Sequence, residues 1–205
     1  MKELIRSSIL AGIAVGIAGF GFLASNIQME TYGPLVGAIT FSFGLLTVVG
    51  YGLKLYTGTA GFVTKEEVGR LFLILLGNII GCLAVGLLSR VSPMDIQQAA
   101  QNILETRIRT GHLSCGLLGI GCGFIMTSAV TFAKQKQYLQ LLLGVPLFIV
   151  CGFTHCVADA FYYLCVPFRF LAEHWFVVLT TYLCIVAGNF IGCNLYRLVS
   201  GTFLK

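Results

Sequence analysis

His155 and Asp159 stand four residues apart in an otherwise apolar stretch of the chain. On a helix that spacing puts both on one face. Histidine is the side chain that changes charge near neutral pH. An ionisable group inside a segment bound for lipid is by default a candidate for a solute or proton path. The bland alternative is a neutral core histidine held by backbone carbonyls. The Asp partner, the Gly-rich approach through Gly144, Pro146 and Gly152, and two buried-position asparagines favour the functional reading. Those asparagines belong to a repeated motif. Gly77-Asn78-Ile79-Ile80-Gly81-Cys82 and Gly188-Asn189-Phe190-Ile191-Gly192-Cys193 agree at five of six positions. Lys54, beside a Gly-rich run, and Arg107 and Arg109, ahead of a later apolar segment, would draw an anion towards this centre or snorkel to headgroups. His112 and His174 fall at the ends of apolar segments and read as interfacial.

The same inventory argues against catalysis. The chain has no nucleophile elbow, no phosphate loop and no metal-ligand cluster. Asp159 beside His155 resembles part of a relay, but no nucleophile is placed to use it. The eight cysteines lie almost entirely in apolar stretches without a CxxC pair. They read as small apolar residues, with neither disulfides nor a metal expected.

The elements that must position these residues are membrane spans. Of 205 residues 57% are hydrophobic and 10% are charged, against roughly 25% charged in soluble domains. Lipid is therefore the expected solvent of the outer surface, and a soluble domain has no room. Spanning the hydrocarbon takes roughly 20 apolar residues. Six candidate spans follow: Ile5–Asn26, Leu35–Tyr56, Val68–Ser89, His112–Ala133, Tyr138–Pro167 and His174–Val199. The first begins like a signal peptide after Lys2 and Arg6, but its length and glycine content favour a span. Between spans three and four, Ser92 reads as an N-cap, with Pro93 at the first helical position and Asp95 in the first turn of a short surface helix.

Placing the N-terminus in the cytoplasm puts Lys2, Arg6, Lys54, Lys65, Arg70, Lys134, Lys136, Arg197 and Lys205 inside, and Arg90, Arg107, Arg109 and Arg169 outside. Nine against four predicts both termini inside. The net charge of +5 is then flanking charge, and no nucleic-acid partner is implied. Each repeated Gly-Asn motif lies in the third span of a three-span half, so the halves, about 1–90 and 107–205 of a single transmembrane domain, must face opposite ways. That is the pattern of inverted-repeat transporters.

Such folds place a broken helix in each half, tolerated only where it lines a cavity or packs in protein. Span two ends in Gly50-Tyr51-Gly52-Leu53-Lys54-Leu55-Tyr56-Thr57-Gly58-Thr59-Ala60-Gly61, too rich in glycine for a regular helix. Its counterpart, from Pro146 to Pro167, loses a backbone donor at Pro146. Free amides at the breaks would present positive dipole ends to an anion. Gly44, Gly116, Gly119 and Gly123 read instead as close-packing positions.

At this point the sequence resembles the formate/nitrite transporter family over nearly its whole length. The residues that carry the resemblance are Phe41-Ser42-Phe43-Gly44-Leu45 leading to Leu55-Tyr56-Thr57, both Gly-Asn-x-x-Gly motifs, Gly119-Ile120-Gly121-Cys122, and Gly152-Phe153-Thr154-His155-Cys156-Val157-Ala158. The resemblance implies an aquaporin-like, all-α membrane fold assembled as a homo-pentamer in the bilayer, with one pore per protomer and no cofactor. It implies passage of small monovalent anions such as formate, nitrite, hydrosulfide or lactate. His155 matches the family's central histidine, Thr57 the threonine facing it, and Asn189 an asparagine expected to hydrogen-bond the ring. Phe41, Leu45 and Phe148 on one side, and Leu55 and Tyr56 on the other, match the apolar constrictions. Arg107 stands where the family has a lysine.

Departures alter the charge. Thr154 replaces a glutamate, Asp159 an asparagine, Lys54 an acid and Gly123 an asparagine. The expected function is a channel or transporter for small weak-acid anions, proton-coupled through His155, along a path including Asn78, Asn189, Asp159, Lys54 and Arg107. The alternative is a pore for water, ammonia or a small alcohol. The expected location is the bacterial inner membrane, both termini cytoplasmic.

Overall fold

The computed structural model describes residues 1–202, without the side chain of Lys65. Lys205, counted above among the inside charges, lies outside the described residues. Among the described residues nine α-helices follow in order: α1 (Lys2–Gln28), α2 (Gly33–Gly50), α3 (Tyr56–Ala60), α4 (Val68–Gly86), α5 (Ile96–Thr110), α6 (His112–Lys134), α7 (Leu139–Val150), α8 (Cys156–Cys165) and α9 (Phe168–Ser200). The apolar runs fold this way because lipid offers no hydrogen bonds, and a helix satisfies its backbone within itself.

Among the described residues five helical stretches are long and apolar enough to cross a membrane: α1, α2, Val68–Arg90, α6 and α9. The second expected span stops early, at Gly50, and resumes as α3 after five non-helical residues. The fifth is divided. Helix α7 has 12 residues and α8 has 10, about 18 and 15 Å of rise, each short of the roughly 30 Å hydrocarbon layer. Pro146 sits inside α7, so the interruption falls later, around Gly152. The sixth expected span starts earlier, at Phe168.

The surface helix also differs from expectation. Ser92 does not cap it. The Ser92 hydroxyl instead accepts from the Met94 amide 3.2 Å away, and the helix begins at Ile96 with Asp95 as N-cap. The short turn formed by Ser92 satisfies a local amide and delays the helix. Ile96, Ala100 and Leu104 then face inward from α5 and are fully buried.

Two close helix pairs frame the molecule. In α1 and α4, Ser8 meets Gly77, Gly12 meets Asn78 and Gly16 meets Val85. Partners advance together along both helices, so the pair is parallel. In α6 and α9, Gly116 meets Gly188, Ile120 meets Gly192, and Gly123 meets Asn189 and Cys193, again in parallel. At Gly12 and Gly192 an added methyl would overlap the carbonyl oxygen of Asn78 and of Ile120. Glycine therefore sets the helix separation, as small residues do in membrane interfaces. The segment after each interruption reaches across to the other pair. Helix α3 packs on α6 and α9, and α8 packs on α1 and α4.

Candidate functional site

The two interruptions have one design. Gly52 and Gly152 have φ of +63° and +69°, a region where a side chain would be strained. The amides of Gly52 and Leu53 bond back to the Val49 and Val48 carbonyls, and those of Gly152 and Phe153 bond back to Ile149 and Phe148. The chain then runs extended through Leu55 and His155, the N-caps of α3 and α8.

One asparagine fastens each interruption. Asn78 Oδ1 accepts from the Tyr56 amide at 2.9 Å, and its Nδ2 donates to the carbonyls of Ser8 and Lys54. Asn189 Oδ1 accepts from the Cys156 amide at 2.8 Å, and its Nδ2 donates to the carbonyls of Gly119 and Thr154. Both side chains are fully buried. A primary amide has two donors and one good acceptor, which is what each interruption needs. The cysteines of the two motifs add weaker contacts to the segments that follow the interruptions. Cys82 Sγ lies 3.4 Å from the Val157 carbonyl and Cys193 Sγ 3.4 Å from that of Thr57.

His155 sits at the second interruption, 1% exposed. Its Nδ1 accepts from the Ala158 amide at 3.1 Å. The neutral ring therefore carries its proton on Nε2, and Nε2 lies 2.9 Å from Thr57 Oγ1. Phe148 stacks on the ring with centroids 5.7 Å apart, and Phe41 meets Phe148 edge-on at 6.3 Å.

Asp159 and Arg107 form a second polar cluster. Asp159 Oδ2 accepts from the His155 amide at 3.0 Å. Its Oδ1 accepts from Arg107 Nε at 2.9 Å. Asp159 is 1% exposed and the Arg107 side chain 16%. Arg107 also reaches the Gly152 carbonyl. This ion pair and the His155 ring line one cavity of about 310 Å³, walled by Phe22, Ile103, Phe148 and Tyr162.

Two expectations are corrected. Asn189 bonds backbone groups around the break, not the His155 ring. The amides at the breaks are also largely engaged: those of Tyr56, Cys156, His155 and Ala158 pair with Asn78, Asn189, Asp159 and His155. Buried amides left unpaired are costly, so the chain supplies their partners from its own side chains.

With this geometry in view, comparison with known proteins is direct. A family model described as formate/nitrite transporter matches residues 1–200. The chain belongs to the formate/nitrite transporter family. The formate channel FocA of Escherichia coli (strain K12) is 27% identical over 75% of this chain and 62% of its own length. FocA of Haemophilus influenzae is 26% identical over 82% and 67%. A formate-nitrite transporter of Entamoeba histolytica is 27% identical over 100% and 62%. The chain thus spans 62% of the length of the E. coli relative. Among solved structures, a pentameric formate channel with formate bound superposes with TM-score 0.78 at 22% identity, covering 98% of both chains. A family ion channel superposes with TM-score 0.79 at 20% identity, covering 97% of this chain and 88% of the other. At these identities the likeness establishes the fold.

Within this family fold, the structure brings His155, Thr57, Asp159 and Arg107 together and puts both asparagines behind the breaks. Phe41, Leu45, Phe148, Leu55 and Tyr56 are all buried around them. Lys54 is exposed, with its amide on the Ser7 hydroxyl. The Arg107–Asp159 pairing was not drawn from sequence. Its signal was a carboxylate in an apolar segment, which calls for a cation somewhere.

Proposed function

We propose that this chain is a channel for small monovalent weak-acid anions, formate and nitrite first among them and hydrosulfide alongside, with His155 at its centre. One observation carries the reading: a buried histidine, hydrogen-bonded to a threonine from the other half, closes a cavity that also holds a guanidinium. Family membership supports the substrate class.

The halves, about 1–90 and 107–205, are read as inverted repeats of one transmembrane domain, with α7 and α8 together making the fifth of six crossings. The matching asparagine fastenings support this. The solved formate channel is pentameric, and the same assembly is proposed here, in a bacterial inner membrane with both termini cytoplasmic.

The mechanism follows from desolvation. A bare anion crosses a dry constriction only at a cost of many kcal/mol. Phe41 and Phe148 on one side of His155, and Leu55 and Tyr56 on the other, make such constrictions. An anion beside His155 accepts hydrogen bonds from Nε2–H and the Thr57 hydroxyl. With Nδ1 occupied by the Ala158 amide, the ring acts only through Nε2. It holds the anion by Nε2–H, the anion takes up a proton from the adjoining water, and the neutral acid formed passes the apolar slit.

The test is formate, nitrite and hydrosulfide flux into proteoliposomes between about pH 5 and 8, with native protein and His155→Phe side by side. Saturable flux that rises as pH falls, and loses its pH dependence in His155→Phe, is the expected result. Unchanged pH dependence in that variant would refute this role of His155. A neutral-solute pore is favoured by one observation, the cancellation of the Arg107 charge by Asp159. Water or ammonia permeation without anion flux would select it.

A further inference from the structure

We infer that Arg107 is an anion site whose resident occupant is the chain's own Asp159 carboxylate, and that a permeating anion must displace it. The inference rests on the anion-channel reading and deepens it at the same cavity. The Asp159 carboxylate is chemically a tethered formate. One oxygen lies 2.9 Å from Arg107 Nε, inside the cavity that also reaches the His155 ring. The guanidinium offers five donors in a planar fork. Here Nε serves Asp159 and one terminal nitrogen reaches the Gly152 carbonyl at 3.4 Å. Arg107 itself lines that cavity with its side chain 16% exposed, so an arriving carboxylate meets a cation already neutralised.

Asp159 is well suited to this part because its two oxygens do different jobs. Oδ2 holds the His155 amide and so the N-terminus of α8. Oδ1 alone holds Arg107. Releasing Arg107 therefore leaves the break intact, and the carboxylate competes with substrate without unfastening the site. The consequence is weak anion binding with fast release, which conduction requires. Asp159 is then a specificity-determining residue: it sets how tightly an anion is held before it meets His155.

Asp159→Asn separates the two jobs. The amide oxygen keeps the His155 bond, while the –NH2 group turned towards Arg107 can no longer accept from it. Calorimetric titration of detergent-solubilised protein with formate reads the site without needing transport. Asp159→Asn is expected to bind formate about tenfold tighter than native protein, the scale of one charge-assisted hydrogen bond. The double variant Arg107→Gln/Asp159→Asn is expected to lose that gain. Half-saturation of formate flux should fall in parallel. Asp159→Ser, which removes the carboxylate with a smaller polar side chain, repeats the comparison should the Asn variant fold poorly. Tighter binding in Asp159→Asn with no formate flux by native protein would sustain this site and reject the channel reading. Formate flux by native protein, with no tighter binding in either Asp159 variant, would sustain the channel and overturn the site.

Discussion

Thr57 Oγ1 has His155 Nε2 at 2.9 Å, and the two residues come from opposite sides of the paired interruptions. Thr57→Val keeps the shape and deletes the hydroxyl. Such a bond inside a membrane protein contributes about 1 kcal/mol, so thermal unfolding in detergent should shift little. Anion flux should fall about tenfold, because the permeant loses a donor beside the ring, and Thr57→Ser should restore it. Equal flux in Thr57→Val and native protein would remove Thr57 from the path. Asn189 lies at the other extreme. Asn189→Ala strands the Cys156 amide and two carbonyls, and should cost about 2–4 kcal/mol, at about 1 kcal/mol for each group left unpaired. A correspondingly lowered unfolding temperature, with Asn78→Ala close behind, is expected in detergent melts. Residues of this kind were legible in sequence because a polar side chain in an apolar run is rare. Their partners were less so. Asn189 was placed on the ring by resemblance, yet a primary amide serves the backbone of a break better than it serves an imidazole. Arg107 and Asp159 are 52 residues apart, and no local pattern ties two such positions together.

At the scale of elements, sequence periodicity resolved the long helices and blurred the interrupted ones. Helices α1, α4 and α6 begin and end close to expectation, since an apolar run bounded by charge has only one way to sit in lipid. Breaks were expected in spans two and five, but where the chain turns was not legible, since Pro146 lies inside α7 and the interruptions are themselves largely apolar. Their marks, Gly52 and Gly152, are positions where a positive φ turns the chain, and the flanking valines, leucines and cysteines carry no break signal. The helix pairs offer a sharper test. At Gly192 a methyl would collide with the Ile120 carbonyl, whereas at Gly21 it would meet nothing within 4 Å. Gly192→Ala should force α6 and α9 apart and cost about 3 kcal/mol or more, as overpacking at a backbone contact does. Gly21→Ala, in the same type of helix, should be neutral or stabilising by up to about 1 kcal/mol. Comparing the unfolding temperatures of the two variants decides whether glycine acts here through packing or merely through composition.

At the scale of the whole molecule, the outer surface poses a problem that one protomer does not solve. Helix α9 runs for 33 residues, and its most apolar window is 33% buried, against 44–50% for the other four membrane-length stretches. Trp175, Phe176, Leu179 and Leu183 project from it, and Phe72, Leu76, Ile80 and Leu83 project from α4. Lipid can cover such faces, since acyl chains are as apolar as leucine, and packing of complementary surfaces then decides between lipid and a second copy. A rise of about 50 Å carries α9 beyond the roughly 30 Å hydrocarbon core. Part of it is thus available for contact outside the bilayer, where burial of aromatic surface from water drives association. The proposed pentamer predicts a protein mass near five times 22.2 kDa by light scattering in mild detergent, after subtraction of the micelle. Leu179→Glu and Phe176→Glu place a charge on the α9 face without touching His155, Thr57 or the asparagines. If α9 forms the contact between copies, each should shift the mass towards a single chain, while the protomer's helical content stays unchanged by circular dichroism. If instead α9 faces lipid, the variants should keep the native mass, and Leu76→Glu on the apolar face of α4 is the next substitution to compare.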